Sequence, residues 1–146
     1  MKALIQRVTS ASVSVDNVIV GKIGQGLLVF LGVAEGDRSE DASFLADKIC
    51  NLRVFSNEDG KFDKSLIDVE GSLLVVSQFT LLGDTSKGRR PNFQKAAKAD
   101  DALRLYQLFR DAVLGAGVRC ETGQFQAHME VSLVNDGPVT LMLERP

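Results

Sequence analysis

Two kinds of hydrophobic spacing, and the order in which they occur, restrict this chain more than any other feature of it. From Ala3 to Val15 apolar and polar residues alternate with period two, which in a strand sends successive side chains to opposite faces. Asp16-Asn17 then supplies turn chemistry, and "VIVGKIGQGLLVFLGV" continues as short strands with a second turn around Gly24 to Gly26. Those glycines run G-x-x-G-x-G, a spacing that does not suit a dinucleotide fingerprint and reads as hairpin glycines. The period changes at Asp37, which with Glu40 resembles a capping box, and Ala42, Leu45, Ile49 and Leu52 then recur at helical spacing. After the polar, turn-rich "SNEDGKFDKSLIDVEG", the apolar run "GSLLVVSQFTLL" predicts a buried strand ending near Ser77. A second helix is expected from about Asp100 to Leu114, with Ala102, Leu105, Phe109 and Ala112 on one face and Gly115 as its stop. Strands follow from Val118. This order, without strict alternation of strand and helix, predicts an α/β fold: a curved, mostly antiparallel β-sheet or barrel with two helices packed against it, in a single domain spanning 1–146.

Charge and cysteine usage narrow the function. The chain carries 17 Lys and Arg against 19 Asp and Glu, a net charge of −2, so any nucleic-acid contact must be local and general polyanion binding is disfavoured. The opening "MKALIQRVTSASVSV" has no continuous apolar core of a signal peptide, and no run approaches the ~20 apolar residues of a membrane span. A cytoplasmic location without membrane partners is the expectation. Cys50 and Cys120 stand outside any CxxC or Cys/His cluster and read as ordinary buried thiols, with no metal site.

The candidates for chemistry are few. His128 is the only histidine. In "FQAHMEVSL" the alternation puts Ala127, Met129, Val131 and Leu133 on one face and His128 on the other, an exposed strand position ill suited to a Ser-His-Asp system. Hydroxyl and amide groups cluster at "SQFTL", Ser77 to Leu81, where the buried strand emerges. This is either a strand end with polar caps or a place where backbone N–H groups bind a developing oxyanion. The loop "GDTSKGRRPNF" concentrates Lys87, Arg89 and Arg90 beside Phe93, as solvated charge or as phosphate contacts with an aromatic platform. Finally, "VSLVNDGPVTLML", Val131 to Leu143, interrupts strand-like sequence with Gly137-Pro138. A hairpin turn accounts for it, and so does a cis X-Pro bond whose glycine lets the backbone approach a ligand.

Taken together and in order, "ALIQRV", "SQFTL", "KGRRPNF", "TGQFQAHM" and "VSLVNDGPVT" resemble the D-aminoacyl-tRNA deacylase (D-tyrosyl-tRNA deacylase) family over essentially the whole chain. One departure is His128, at a position often acidic in that family. The resemblance implies a cytoplasmic homodimer that hydrolyses the ester between a D-amino acid, or glycine, and the terminal ribose of tRNA, without cofactor, metal or DNA partner. It also implies that Gly137-Pro138 is cis and enters the partner subunit's pocket, its carbonyls lining the place where an L side chain would project.

The same resemblance implies that main-chain N–H groups around Phe79 and Thr80 hold the ester carbonyl oxygen while Ser77 and Gln78 shape the site. The sequence supplies no base to activate Thr80 as a nucleophile, so the substrate's ribose 2′-OH is favoured as the group that positions or activates water. Phe125, Ala127 and Met129 would form an apolar wall, and Arg7 would hydrogen-bond the Gly137 carbonyl. Lys87, Arg89 and Arg90 would contact tRNA phosphates. A different small ester hydrolase and a non-catalytic RNA-binding module remain the alternatives.

Overall fold

In the computed structural model, which describes residues 1–145, the alternating N-terminal segment forms a long strand, β1 (Lys2–Val15), that organises the rest of the sheet. It pairs antiparallel with β2 (Val18–Ile23), β3 (Gly26–Gly32) and β8 (Glu130–Glu144). The β1–β2 turn places Asp16 and Asn17 at φ 50° and 64°, the left-handed pair whose twist matches flanking strands. At the other end, Gly26 is a close-approach residue of β3 as well as a neighbour of the turn. A Cβ there would stand 1.7 Å from the Ser72 carbonyl oxygen, so glycine lets β6 (Ser72–Ser77) lie alongside β3.

That pairing is parallel, as is the next one, between β6 and β7 (Arg119–Thr122). Parallel neighbours require crossovers. The first carries α1 (Ser39–Asn51) and the small hairpin of β4 (Phe55–Ser56) and β5 (Phe62–Lys64), and the second carries α2 (Ala99–Gly115). The six-stranded sheet, ordered β2-β1-β3-β6-β7 with β8 on β1, is therefore mixed. It curls until β2 meets β7, where a Cβ on Gly21 would be 2.4 Å from the Thr122 carbonyl oxygen. The architecture is nearly closed and barrel-like, with two helices packed against it.

Each face of the sheet has its own core. Ala42, Leu45, Ile49, Leu105, Phe109 and Val113 from the helices pack with Ile5, Leu27, Val29, Leu73 and Val75, while Val8, Ala11, Val13, Ile23, Leu28, Leu74 and Val76 fill the concave side. Both helices depart from their expected ends. Asp41, instead of an Asp37–Glu40 box, accepts the Arg38 N–H at 2.8 Å at the start of α1, and Asp37 accepts the Ala34 N–H. Gly115 remains helical, and Gly117, at φ +83°, is the left-handed residue that ends α2. Cys50 is buried and Cys120 half-buried, both as free thiols that burial pushes up to about 11 and about 12. Among the described residues no helix is long and apolar enough to cross a membrane.

Candidate active site

The site forms at the carboxyl ends of the parallel strands, where open α/β sheets place their ligands. At Ser77 the apolar β6 ends, and Gln78 donates its N–H to the Leu31 carbonyl at 2.8 Å. Phe79–Leu82 then makes one 3₁₀ turn, closed by the Gly83 N–H on the Thr80 carbonyl at 3.0 Å. The first N–H groups of such a turn have no acceptor within it. Those of Phe79 and Thr80 meet no other backbone or side-chain acceptor among the described residues. The Thr80 hydroxyl is held by the Gln78 side-chain amide, which donates to it.

Opposite the turn lies the segment between β7 and β8. Sequence alternation extended a strand through it, but Phe125 to Met129 is irregular, with Gln126 at φ +63°. The alternation survives in burial: Phe125, Ala127 and Met129 are half-buried, while Gln124, Gln126 and His128 are exposed. Residues 125–129 line a cavity of about 620 Å³ together with Val76, Ser77, Gln78, Phe79 and Val131, with Ala97 just before α2 and Ala99 and Ala102 in its first turn. His128 is exposed as expected, yet it stands on the cavity's lining and not on a strand. It makes no hydrogen bond to the side chains of Ser77 or Thr80. Ala102 lies on the apolar helical face expected for it, whereas Ala97 and Ala99 carry no chemical signature in the sequence, and Tyr106, whose ring packs on Phe125, falls outside that expected face.

The basic loop is pinned at its base by reciprocal Asp84–Asn92 backbone bonds of 2.7 and 2.9 Å. Within it, the Ser86 hydroxyl and then its N–H hold the Asp84 carboxyl below the usual carboxylate range. Lys87, Arg89 and Arg90 are exposed and enter none of the ion pairs among the described residues. Phe93 is not a free platform: its ring meets Phe79 edge-on, with centroids 5.2 Å apart, which ties the loop to the turn. A larger, shallower depression of about 1030 Å³ lies beyond Leu82 and Gly83; it mixes Lys2 and Lys95 with Glu35, Asp84 and Glu144 and contains none of the expected site residues.

Gly137 and Pro138 lie elsewhere. Their peptide bond is cis, both residues are exposed, and neither lines the cavity of its own chain. They sit where the β1–β8 register breaks, between the Gln6↔Thr140 and Val8↔Asn135 pairs. Asn135 spans the break by donating to the Arg7 and Val139 carbonyls at 2.9 and 3.1 Å. Arg7 is 7% exposed and does not bond the Gly137 carbonyl as expected. Its guanidinium donates to the Asp136 carbonyl at 3.0 Å and the Val54 carbonyl at 2.7 Å, and pairs with the Asp136 carboxylate at 3.2 Å. The buried cation ties the Asp136 carbonyl, one residue upstream of the glycine, to the Val54 carbonyl in the loop before β4.

The model of the family described as D-Tyr-tRNA(Tyr) deacylase matches residues 4–144. The chain belongs to this family. It is 59% identical over 145 residues to the D-aminoacyl-tRNA deacylase of Pelobacter propionicus, covering 99% of this chain and 100% of the relative. It is 55% identical over 144 residues to that of Thermosipho africanus, at 99% and 97% coverage. A solved structure described as c-Myc DNA Unwinding Element Binding Protein superposes with a TM-score of 0.94 at 41% identity, covering 100% of this chain and 99% of the other. A probable eukaryotic D-amino acid tRNA deacylase shares the fold at a TM-score of 0.83 and 18% identity, with 97% of each chain covered.

Proposed function

We propose that this chain is a D-aminoacyl-tRNA deacylase that acts as a homodimer in the cytoplasm and removes D-amino acids, and glycine, from tRNA. The observation that carries this reading is the division of the site: Ser77, Gln78 and Phe79 share a cavity with Phe125, Ala127 and Met129, while Gly137-Pro138 is presented outward. Water attacks the ester carbonyl carbon, the bond to the ribose oxygen breaks, and that oxygen takes a proton, leaving free tRNA and the amino acid. The free N–H groups of Phe79 and Thr80 hold the oxygen that becomes negative, which needs no titratable group on the protein. Gln78 occupies the Thr80 hydroxyl as an acceptor, which supports a positioning role for Thr80, with the ribose 2′-OH assisting water.

Gly137-Pro138 of a second copy covers the cavity and excludes L side chains, so chirality is read by backbone and the D side chain is not recognised. Two further features support a second copy on this face. Among the described residues β8 pairs only with β1, leaving its other edge open, and its Val134, Leu141 and Met142 expose 57%, 42% and 51% of their surface. Lys87, Arg89 and Arg90 supply phosphate contacts for the acceptor end. Proofreading of charged tRNA before translation is the role this chemistry serves.

Incubation with D-tyrosyl-tRNA and L-tyrosyl-tRNA tests the reading. Release of tyrosine from the D-ester only is the expected result. Equal cleavage of both esters, or cleavage of simple D-amino acid esters as fast as the tRNA ester, would favour a general ester hydrolase. Binding without release would favour an RNA-binding module. Duplex DNA is the control ligand, given the name of one solved relative, and is expected to bind weakly to a chain of net charge −2.

A further inference from the structure

Two walls make the pocket, and the sheet ceases to hold them together where the chemistry begins. The last β6–β7 pair is Val75↔Thr122. Beyond it, β6 runs on through Val76 and Ser77 to the donor turn, while the other strand continues into the segment that carries Phe125, Ala127 and Met129. At this last rung Tyr106 of α2 reaches in. It is 5% exposed, and its hydroxyl donates to the Val75 carbonyl at 2.9 Å. The same oxygen accepts the Gly123 N–H at 3.2 Å. The Tyr106 ring also packs on Phe125, with centroids 6.1 Å apart and planes inclined by 33°.

We propose that Tyr106 is a positioning residue for the hydrolysis, fixing the separation of the donor turn from the Phe125 wall by clamping both to one carbonyl oxygen of β6. Filling the core requires only the ring, which phenylalanine would supply equally. The hydroxyl adds a buried polar group that must find a partner, and the partner it finds is the oxygen shared by the two walls. Burial pushes the phenol up to about 12, so the group keeps its proton and donates throughout the range in which aminoacyl esters survive. A site that works through fixed N–H donors is sensitive to displacements of a fraction of an ångström. Ground-state binding of the tRNA, spread over the acceptor end, is much less so. The clamp should accordingly appear in kcat and not in KM.

This inference rests on the deacylase reading, and Tyr106→Phe tests it. The variant should melt within a few degrees of the parent, keep KM for D-tyrosyl-tRNA within about twofold, and lose about tenfold in kcat. Amide exchange at Gly123 should accelerate, because its shared acceptor is no longer anchored to α2. Tyr106→Leu, which removes the ring from Phe125 as well, should lose more in kcat, with folded protein confirmed by circular dichroism. A Tyr106→Phe enzyme with kcat within twofold of the parent, or a loss matched by the unfolded fraction, would overturn the clamp, as would unchanged Gly123 exchange. Inactive parent protein would overturn the deacylase reading instead, and the exchange measurement would still decide the clamp.

Discussion

The end of β6 and the Gly137-Pro138 segment of β8 both break the regular run of a strand, the first with a 3₁₀ turn and the second with a slip in register, and the chain handles them differently. The β6 end is walled by its own chain, with the Phe125 segment across from it, α2 beside it and the Phe93 ring on Phe79. The β8 segment has support from beneath only, from Arg7 and Asn135, and its outer side is open. In the function proposed above, the cavity with its donors and the outward Gly137-Pro138 segment would complete each other across two copies of the chain. The contrast is between a walled cavity within the chain and a backbone segment presented to its exterior, and the proposed function assigns chemistry to the first and selectivity to the second.

The largest effect expected from breaking this division is at the donor turn. Thr80→Pro deletes one N–H and should cost about 10²- to 10³-fold in kcat, the usual loss for an oxyanion donor. Thr80→Ala keeps that N–H and should stay within about tenfold of the parent. A loss in Thr80→Ala of 10⁴-fold or more would make the hydroxyl a nucleophile and remove the case for main-chain catalysis. A tRNA lacking its terminal 2′-OH should react far more slowly with either protein.

A smaller effect is expected at the basic loop. Because Lys87, Arg89 and Arg90 are exposed and unpaired among the described residues, the dependence of binding on salt should report about two to four neutralised phosphates, at about 0.9 in log–log slope for each. Replacing all three by alanine should flatten the slope without altering the preference for D over L. A slope corresponding to ~8 or more phosphates would require a far larger RNA footprint than this loop provides.

The smallest effect marks what lies outside both regions. The Arg38 N–H and the Arg145 guanidinium hold the Asp41 carboxyl below its ordinary value of 3.8. A depressed carboxylate stabilises the fold above its unfolded-state pKa, and the contribution disappears as pH falls through the folded one. Asp41→Asn, which removes a carboxylate from the first turn of α1, should lower stability by about 0.3–1 kcal/mol at neutral pH. The difference from the parent should shrink below about pH 4, with kcat and chirality untouched. Thermal melts at neutral and acidic pH measure it.

Local pattern in the sequence reached the long β1 strand, the Asp16-Asn17 turn, the buried strand to Ser77 and both helices, because each is specified by residues close in the chain. It did not reveal that β3, β6 and β7 run parallel. A buried strand presents the same apolar run to either kind of neighbour, and two helices separated by one strand looked unlike a β-α-β series. The Phe125 to Met129 segment misled differently: its side chains alternate between cavity and solvent as a strand's would, while Gln126 in the left-handed region breaks the ladder. Of the site, the polar cluster after an apolar run was visible. Ala97, Ala99 and Tyr106 were not, since their roles depend on α2 crossing back over the end of β6. The Arg7 partner was displaced by one residue, from Gly137 to Asp136, because sequence conveys nothing of where the β1–β8 register slips.

The proposed assignment of chemistry to one chain's cavity and of selectivity to its partner's Gly137-Pro138 is tested most directly by a mixed dimer. One chain carries Thr80→Pro to disable the donor turn, and the other carries Gly137-Pro138 replaced by Ala-Ala. If each Gly-Pro segment serves its partner's cavity, one site of the heterodimer receives both defects and the other neither. The isolated heterodimer should then retain about half the activity of the parent dimer with its full preference for D-tyrosyl-tRNA. A heterodimer whose remaining activity also cleaves L-tyrosyl-tRNA would mean that each segment guards the cavity of its own chain, and selectivity directed across the dimer would be contradicted.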